Sequence, residues 1–154
     1  MSEEELIEVK PISQGFPISD YDGAFPYKIE QKIKQLIASP CLHLFSGSSR
    51  IGDVRVDLAH PNATDKEDVM IFLRKDTRMW KWAIIDPPYK IDNAAKKLSD
   101  YQEYTAISAS IPKRKAISLY LQEHVGNALW LDRCSPLIWG FERAKVWLFI
   151  PVNG

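Results

Sequence analysis

The chain has 154 residues, a length that suits one compact domain with one hydrophobic core. Basic and acidic residues both number 20, and this zero net charge argues against a strongly basic, nonspecific nucleic-acid binder. No apolar run approaches the roughly 20 residues that span a bilayer, and the acidic start MSEEELIEVK lacks the pattern of a signal peptide. We therefore expect a cytoplasmic, intracellular protein without membrane contact.

The first half of the chain contains three predicted elements after an irregular start. Residues 1–24 are rich in glycine, proline and aspartate, which predicts an irregular lead-in. Residues 27–39 place apolar side chains at helical spacing with lysines on the opposite side, as in an amphipathic helix. The apolar run at 41–45 and the alternating run at 53–59 predict two short strands.

The second half of the chain alternates helices and strands. Residues 65–75 predict a short helix capped by Thr64 or Asp65, and residues 114–125 predict an amphipathic helix that Gly126 closes. Three further strands are predicted at 80–86, 127–132 and 144–152. This alternation favours an α/β fold with a mainly parallel sheet.

Several residues are expected to serve the core rather than a site. The tryptophans expected to pack against the sheet are Trp80, Trp82, Trp130 and Trp147. Buried free thiols are expected at Cys41 and Cys134. Structural roles without metal-ligand spacing are expected for His43, His60 and His124.

Three predicted strands end in residues suited to ligand binding, and ligands bind beyond the carboxyl ends of strands in such sheets. Ser46–Gly47 follows the first strand, and a turn of small residues lets a ligand approach the backbone closely. Asp57 ends the second strand, where a carboxylate can accept both hydroxyls of a ribose. Together these two features suggest a nucleoside-containing cofactor. Residues 86–89, Asp-Pro-Pro-Tyr, close a third strand.

The tetrapeptide at 86–89 resembles the catalytic motif of S-adenosylmethionine-dependent amino-methyltransferases. The order of motifs is similar to that of DNA adenine-N6 enzymes: a helix, a Phe-x-Gly turn, a strand-end acid, a further acid and then Asp-Pro-Pro-Tyr. The resemblance covers roughly residues 25–92. It implies a Rossmann-like methyltransferase fold with a mainly parallel sheet and an antiparallel C-terminal strand. Because too few residues separate Gly47 from Val54 for a helical crossover, the first crossover helix is expected to be reduced.

The resemblance implies catalytic roles for Asp86, Pro87, Pro88 and Tyr89. The Asp86 carboxylate and the Pro87 carbonyl would accept the N–H groups of an exocyclic base amine and draw it toward sp³ geometry. The two prolines would fix the backbone so that both acceptors are in place before the base arrives. Tyr89 would stack on the base, which must leave its helix to reach the pocket.

The resemblance also implies a binding site for S-adenosylmethionine. Phe45 and Gly47 would line the methionine and adenosine region, and Asp57 would bind the ribose hydroxyls. Asp68 would bond the adenine amine of the cofactor, with Val69 packing nearby, or would serve as a charge at a helix N-terminus. The remaining cofactor-side positions are Phe25, Pro26, Ser46 and Leu58.

The resemblance makes DNA the expected partner. The whole chain, 1–154, is expected to form a single catalytic domain without a separate target-recognition domain, so a homodimer would supply additional contact area. Residues 90–115 carry six basic and three acidic side chains, a local basic excess beside two tyrosines. The DNA contacts expected there are Lys90, Lys96, Lys97, Lys113 and Arg114.

Two alternatives stay open. The same motif serves enzymes that methylate cytosine N4 or a base amine in RNA. A non-catalytic module that binds cofactor or nucleic acid is the other, because Ser49 stands where the family commonly has a second glycine and the first crossover helix is missing.

Overall fold

The computed structural model of the chain describes residues 8–13, 25, 27–87, 111–131, 138, 140–142 and 145–150, with the backbone alone for 8–13 and 145–150. Its strands are Glu8–Ser13 (β1), Cys41–Leu44 (β2), Val54–Asp57 (β3), Asp65–Lys66 (β4), Trp80–Ile85 (β5), Val125–Trp130 (β6) and Lys145–Ile150 (β7). Its helices are Tyr27–Leu36 (α1), Val69–Lys75 (α2) and Ile111–His124 (α3). None of these helices has the length and apolar character needed to cross a membrane.

Five strands form one parallel sheet in the order β4-β3-β2-β5-β6. Leu42 of β2 lies opposite Val54 of β3 on one side and Ala83 of β5 on the other. The predicted α/β class with a mainly parallel sheet is therefore confirmed. Strand β5 ends in a continuous buried run, as expected for a strand covered on both faces.

Helices cover both faces of this sheet because successive side chains of a strand point to opposite sides. One face, formed by residues such as Leu42 and Leu44, packs against Phe72 of α2 and Leu121 of α3. On the opposite face Cys41, a buried free thiol, packs with two isoleucines of α1. These isoleucines, Ile29 and Ile33, are one turn apart and nearly fully buried, which confirms the amphipathic helix.

The connection between β2 and β3, residues 45–53, contains no helix, as predicted. It doubles back along the sheet: the Ser46 N–H donates to the Val56 carbonyl at 3.1 Å, and the Asp53 N–H donates to the Cys41 carbonyl at 2.8 Å. Ile51 in this connection is buried among the residues of the α1 face. The connection therefore fills the space that a crossover helix would occupy, and it lets two neighbouring strands run parallel.

His43 lies fully buried beneath this connection. Its Nδ1 is 3.0 Å from the Ile51 carbonyl oxygen, and its ring stacks on Phe25 with centroids 5.7 Å apart. Because a carbonyl can only accept, Nδ1 carries the proton and Nε2 holds a lone pair. Nε2 is buried without a hydrogen-bond partner in the described part of the chain. Burial lowers the pKa of His43 from 6.5 to about 4, although the bond to Ile51 opposes this shift.

Three predicted helix boundaries were wrong. Helix α2 is capped by Asp68 rather than by Thr64 or Asp65, since Asp65–Lys66 pair with β3 as a short strand. Gly126 is not a C-cap, because β6 begins at Val125, immediately after the end of α3. Helix α3 also begins earlier than predicted, with proline in its first turn, where a missing N–H costs nothing.

Strands β1 and β7 differ from two further predictions. Residues 8–13 lie within the predicted irregular lead-in, but they form strand β1. Strand β7, expected to be antiparallel, pairs with β1 and runs parallel to it, with Val9 opposite Val146. This pairing joins segments more than a hundred residues apart, and no local pattern in either segment reveals it.

We expect the stability of the protein to depend on pH through His43. The folded pKa lies below the unfolded one, so the unfolded chain binds more protons between pH 6.5 and 4. The free energy of unfolding should therefore fall as the pH drops through this window, by up to roughly 3 kcal/mol. Urea unfolding at stepwise pH measures this change.

The His43→Asn variant should lose most of this pH dependence, because an amide can donate to Ile51 without titrating. His60→Asn is the matched control and should keep the dependence. An unchanged pH profile in His43→Asn would show that another group is responsible.

Candidate active site

The carboxyl ends of the parallel strands meet at one edge of the sheet, and several of the predicted site residues lie there. Ser46 follows β2, Asp57 ends β3, and Asp86 follows β5. Trp130 ends β6 and lies opposite Ile85 in the ladder. The fold therefore brings together residues that are up to 84 positions apart in the sequence.

The turn after β2 has a compact, left-handed backbone. Phe45 has a φ of 61° and Gly47 a φ of 50°, and for phenylalanine this conformation is uncommon. The Phe45 ring packs in the core on the α2 and α3 face of the sheet. The Ser46 side chain is 3% exposed, and its Oγ has no hydrogen-bond partner within the described residues. A buried hydroxyl of this kind fits a bound polar ligand that would supply the missing partner.

Asp57 links the turn after β2 to the turn after β3. Its Oδ2 accepts a hydrogen bond from the Gly47 N–H at 3.0 Å. Its Oδ1 accepts from the N–H groups of Ala59 and His60 at 3.1 and 3.0 Å. These bonds occupy most of the acceptor capacity of the carboxylate. Asp57 thus orders the backbone of the site, and its binding to a ribose stays a prediction.

Asp68 lies beyond the end of β4 and caps α2. Its Oδ1 accepts from the Met70 N–H at 2.6 Å, which matches the helix-terminus alternative. The next residue, Val69, is fully buried, and Leu58 packs partly buried against the same core. A contact of Asp68 with the adenine of a cofactor stays a prediction.

Asp86 and Pro87 lie directly beside the turn after β2. The Asp86 N–H donates to the Leu44 carbonyl at 3.3 Å, which extends the central ladder past the end of β5. The Asp86 side chain is partly buried, and Pro87 is fully buried. The structure therefore brings the first half of the Asp-Pro-Pro-Tyr motif next to Leu44, the last residue of β2.

The remaining predicted site residues lie below the β2–β3 connection, on α3 or outside the described ranges. Phe25 stacks on His43 below the connection, and Lys113 and Arg114 lie in the first turn of α3. The predicted residues outside the described ranges are Pro26, Pro88, Tyr89, Lys90, Lys96 and Lys97, together with the free thiol expected at Cys134.

Trp130 is the residue at this edge that sequence reasoning missed, because it was assigned to the core. It does pack partly buried against the core, and the guanidinium carbon of Arg114 also lies 5.5 Å from the centroid of its ring. Its Nε1 is buried without an acceptor in the described part of the chain. Its place near the end of a predicted strand was the signal in the sequence.

At the opposite edge of the sheet, where the amino ends of the strands lie, Asp76 and its neighbours satisfy one another's hydrogen bonds. The Asp76 carboxylate accepts hydrogen bonds from the Tyr120 hydroxyl, the Trp80 indole at 3.0 Å and the Arg78 guanidinium. Burial alone would raise the pKa of Asp76, but these hydrogen bonds lower it below its ordinary value. By contrast, two of the three partnerless buried polar atoms found among the described residues, Ser46 Oγ and Trp130 Nε1, lie at the carboxyl edge. This difference points to the carboxyl edge as the ligand-binding side.

A metal centre receives no such support. Among the described ranges no group of three histidine, cysteine, aspartate or glutamate side chains is placed to hold a metal ion.

We expect Asp57→Asn to destabilise the fold. The amide nitrogen of asparagine cannot accept the N–H of Gly47 or those of the 59–60 turn, so at least one buried hydrogen bond to the carboxylate is lost. The free energy of unfolding, measured in urea, should fall by about 1.5–3 kcal/mol. Asp65→Asn, whose side chain accepts an exposed bond from Thr64, is the control and should change stability by less than about 1 kcal/mol. Equal effects of the two variants would contradict this role of Asp57.

Comparison of the chain with protein-family models, with curated proteins and with solved structures gives no match. The assignment of a function therefore depends on the geometry of the site itself.

Proposed function

We propose that this protein transfers a methyl group from S-adenosylmethionine to the N6 amine of a flipped adenine in DNA. The observation that carries the proposal is that the segments following two neighbouring central strands, β2 and β5, leave the sheet side by side. Asp86–Pro87 follows β5, Ser46–Gly47 follows β2, and the Asp86 N–H bonds the Leu44 carbonyl at 3.3 Å. A methyl donor at one turn and an amine at the other would be close enough for direct transfer.

The strand order supports a nucleotide-binding architecture. Counted along the chain from β2, the five strands of the sheet have the order 3-2-1-4-5, which matches the first five positions of the 3-2-1-4-5-6 order of doubly wound dinucleotide-binding folds. In these folds the ligand lies where the strand order reverses, here between β2 and β5. Ser46 and Asp86 flank this position. The order is compatible with a Rossmann-like fold, and it supports the proposed ligand position without reference to the motif.

The residues present suit the cofactor and the amine. S-adenosylmethionine would supply an activated methyl group, held beside Gly47 with the Ser46 hydroxyl as a hydrogen-bond partner. The lone pair of a base amine is delocalised into its ring, so the amine is a poor nucleophile. Asp86 would accept one amine N–H and the Pro87 carbonyl the other, which localises the lone pair on nitrogen. The Asp86 carboxylate would also stabilise the positive charge that develops there.

One observation favours a second candidate, a module that binds nucleic acid without turnover. The Asp57 carboxylate is largely occupied by backbone N–H groups, so it has little capacity left for a ribose. Weak or absent binding of S-adenosylmethionine in titration calorimetry would favour this candidate over an enzyme.

The proposal predicts a specific product. After incubation with labelled S-adenosylmethionine and duplex DNA, nucleoside analysis should yield labelled N6-methyladenine. Asp86→Asn should reduce its rate of formation about 100-fold or more, because the charged acceptor is lost. Glu123→Gln, at an exposed side chain on α3, is the matched control and should keep full activity.

The other outcomes of this experiment are distinct. Label in N4-methylcytosine or in an RNA base would keep the mechanism and change the substrate. No labelled base in varied DNA and RNA would contradict an enzymatic function. A homodimer stays a prediction that sedimentation analysis would test.

A further inference from the structure

Arg114 and Trp130 form a cation–π pair at the carboxyl edge of the sheet. Arg114 lies in the first turn of α3, and its guanidinium carbon is 5.5 Å from the centroid of the Trp130 ring. Trp130 lies opposite Ile85, and the next N–H, that of Leu131, donates to the Ile85 carbonyl at 2.9 Å. The pair therefore lies on the strand next to β5, one ladder position from Asp86.

A guanidinium held over an aromatic ring is well suited to bind an oxyanion. The ring attracts its charge through the face, while its N–H donors lie in the guanidinium plane and match two oxygens of a phosphate. The stack also restricts a long side chain that otherwise loses considerable entropy on binding. In addition, the first turn of α3 carries no acidic side chain that would repel an anion.

A tryptophan at position 130 lowers stability if its only role is to fill the core. Its Nε1 is buried without an acceptor in the described part of the chain, and an unsatisfied buried donor lowers stability relative to a satisfied one. A phenylalanine could pack against the same core without that cost. An indole, however, has the aromatic face that binds cations best. The arrangement therefore favours a role of Trp130 toward Arg114 beyond filling space.

We propose that Trp130 is a positioning residue that holds Arg114 against the backbone phosphate beside the nucleotide whose base enters the Asp86 site. The ligand class is a nucleic-acid phosphate, so this inference rests on the proposed function. It assigns one of the expected DNA contacts to the reacting nucleotide, and it gives Trp130 a function that its sequence position alone did not show.

The test begins with DNA binding as a function of salt concentration. Arg114→Ala should weaken binding about tenfold, equally for unrelated sequences, and should reduce the slope of log K against log salt by about one phosphate contact. Lys115→Ala removes the same charge one position along the exposed side of α3 and should change binding less than about twofold. Equal effects of the two variants would overturn the inference, because a general basic surface would then explain them.

Two conservative variants test the stack itself. Arg114→Lys keeps the charge, so the salt slope should stay the same, but it loses the planar group. Trp130→Phe keeps a ring with a weaker cation–π attraction. Both should lower kcat/KM for a short duplex about threefold to tenfold, with an unchanged dissociation constant for S-adenosylmethionine. Wild-type values of kcat/KM in both variants would show that Trp130 does not position Arg114.

The failures of the two proposals can be distinguished. A wild-type protein that methylates no nucleic acid contradicts the proposed function. A wild-type protein that methylates DNA, with Arg114→Ala indistinguishable from Lys115→Ala, contradicts only the inference about the pair. Thermal unfolding of each variant, expected within a few degrees of wild type, separates these outcomes from a loss of folding.

Discussion

The connection between β2 and β3 is the constraint on which the rest of the structure depends. Parallel neighbours ordinarily need a crossover of a dozen or more residues, yet residues 45–53 return the chain without a helix. Three interactions make this return stable: Asp57 fixes the turn at one end, Ile51 packs into the core on the α1 face of the sheet, and His43 hydrogen-bonds the Ile51 carbonyl. The same return places Gly47 at the carboxyl edge of the sheet, close to Asp57.

The two edges of the sheet use polar groups in opposite ways. At the amino edge, Asp76 and its three donors satisfy one another, so this edge contributes to stability and has little capacity for a ligand. At the carboxyl edge, Ser46 and Trp130 each keep a buried atom without a partner among the described residues. Unsatisfied groups of this kind lower stability, and their concentration at one edge agrees with the ligand site proposed there.

The sequence predicted those features that arise from local patterns. The apolar spacing of α1, the alternation of β3 and the absence of a crossover helix all follow from residues close in the chain. The partners of β1 and β7 could not be predicted, because their pairing is a tertiary contact. The cap of α2 was missed for a related reason: Asp65 joins a strand whose partner lies elsewhere. In the candidate site, the motif alone was enough to propose a role for Asp86, whereas Trp130 became a candidate only through its neighbour Arg114.

The junction of α3 and β6 has a mechanical consequence. The helix ends at His124 and the strand begins at Val125, so no loop separates them. The two elements also meet at their far ends, where Arg114 lies over Trp130. Because α3 and β6 are joined directly at one end and in contact at the other, we expect them to move as one unit. A displacement of the first turn of α3 would then shift the β5–β6 ladder instead of bending the chain at the junction.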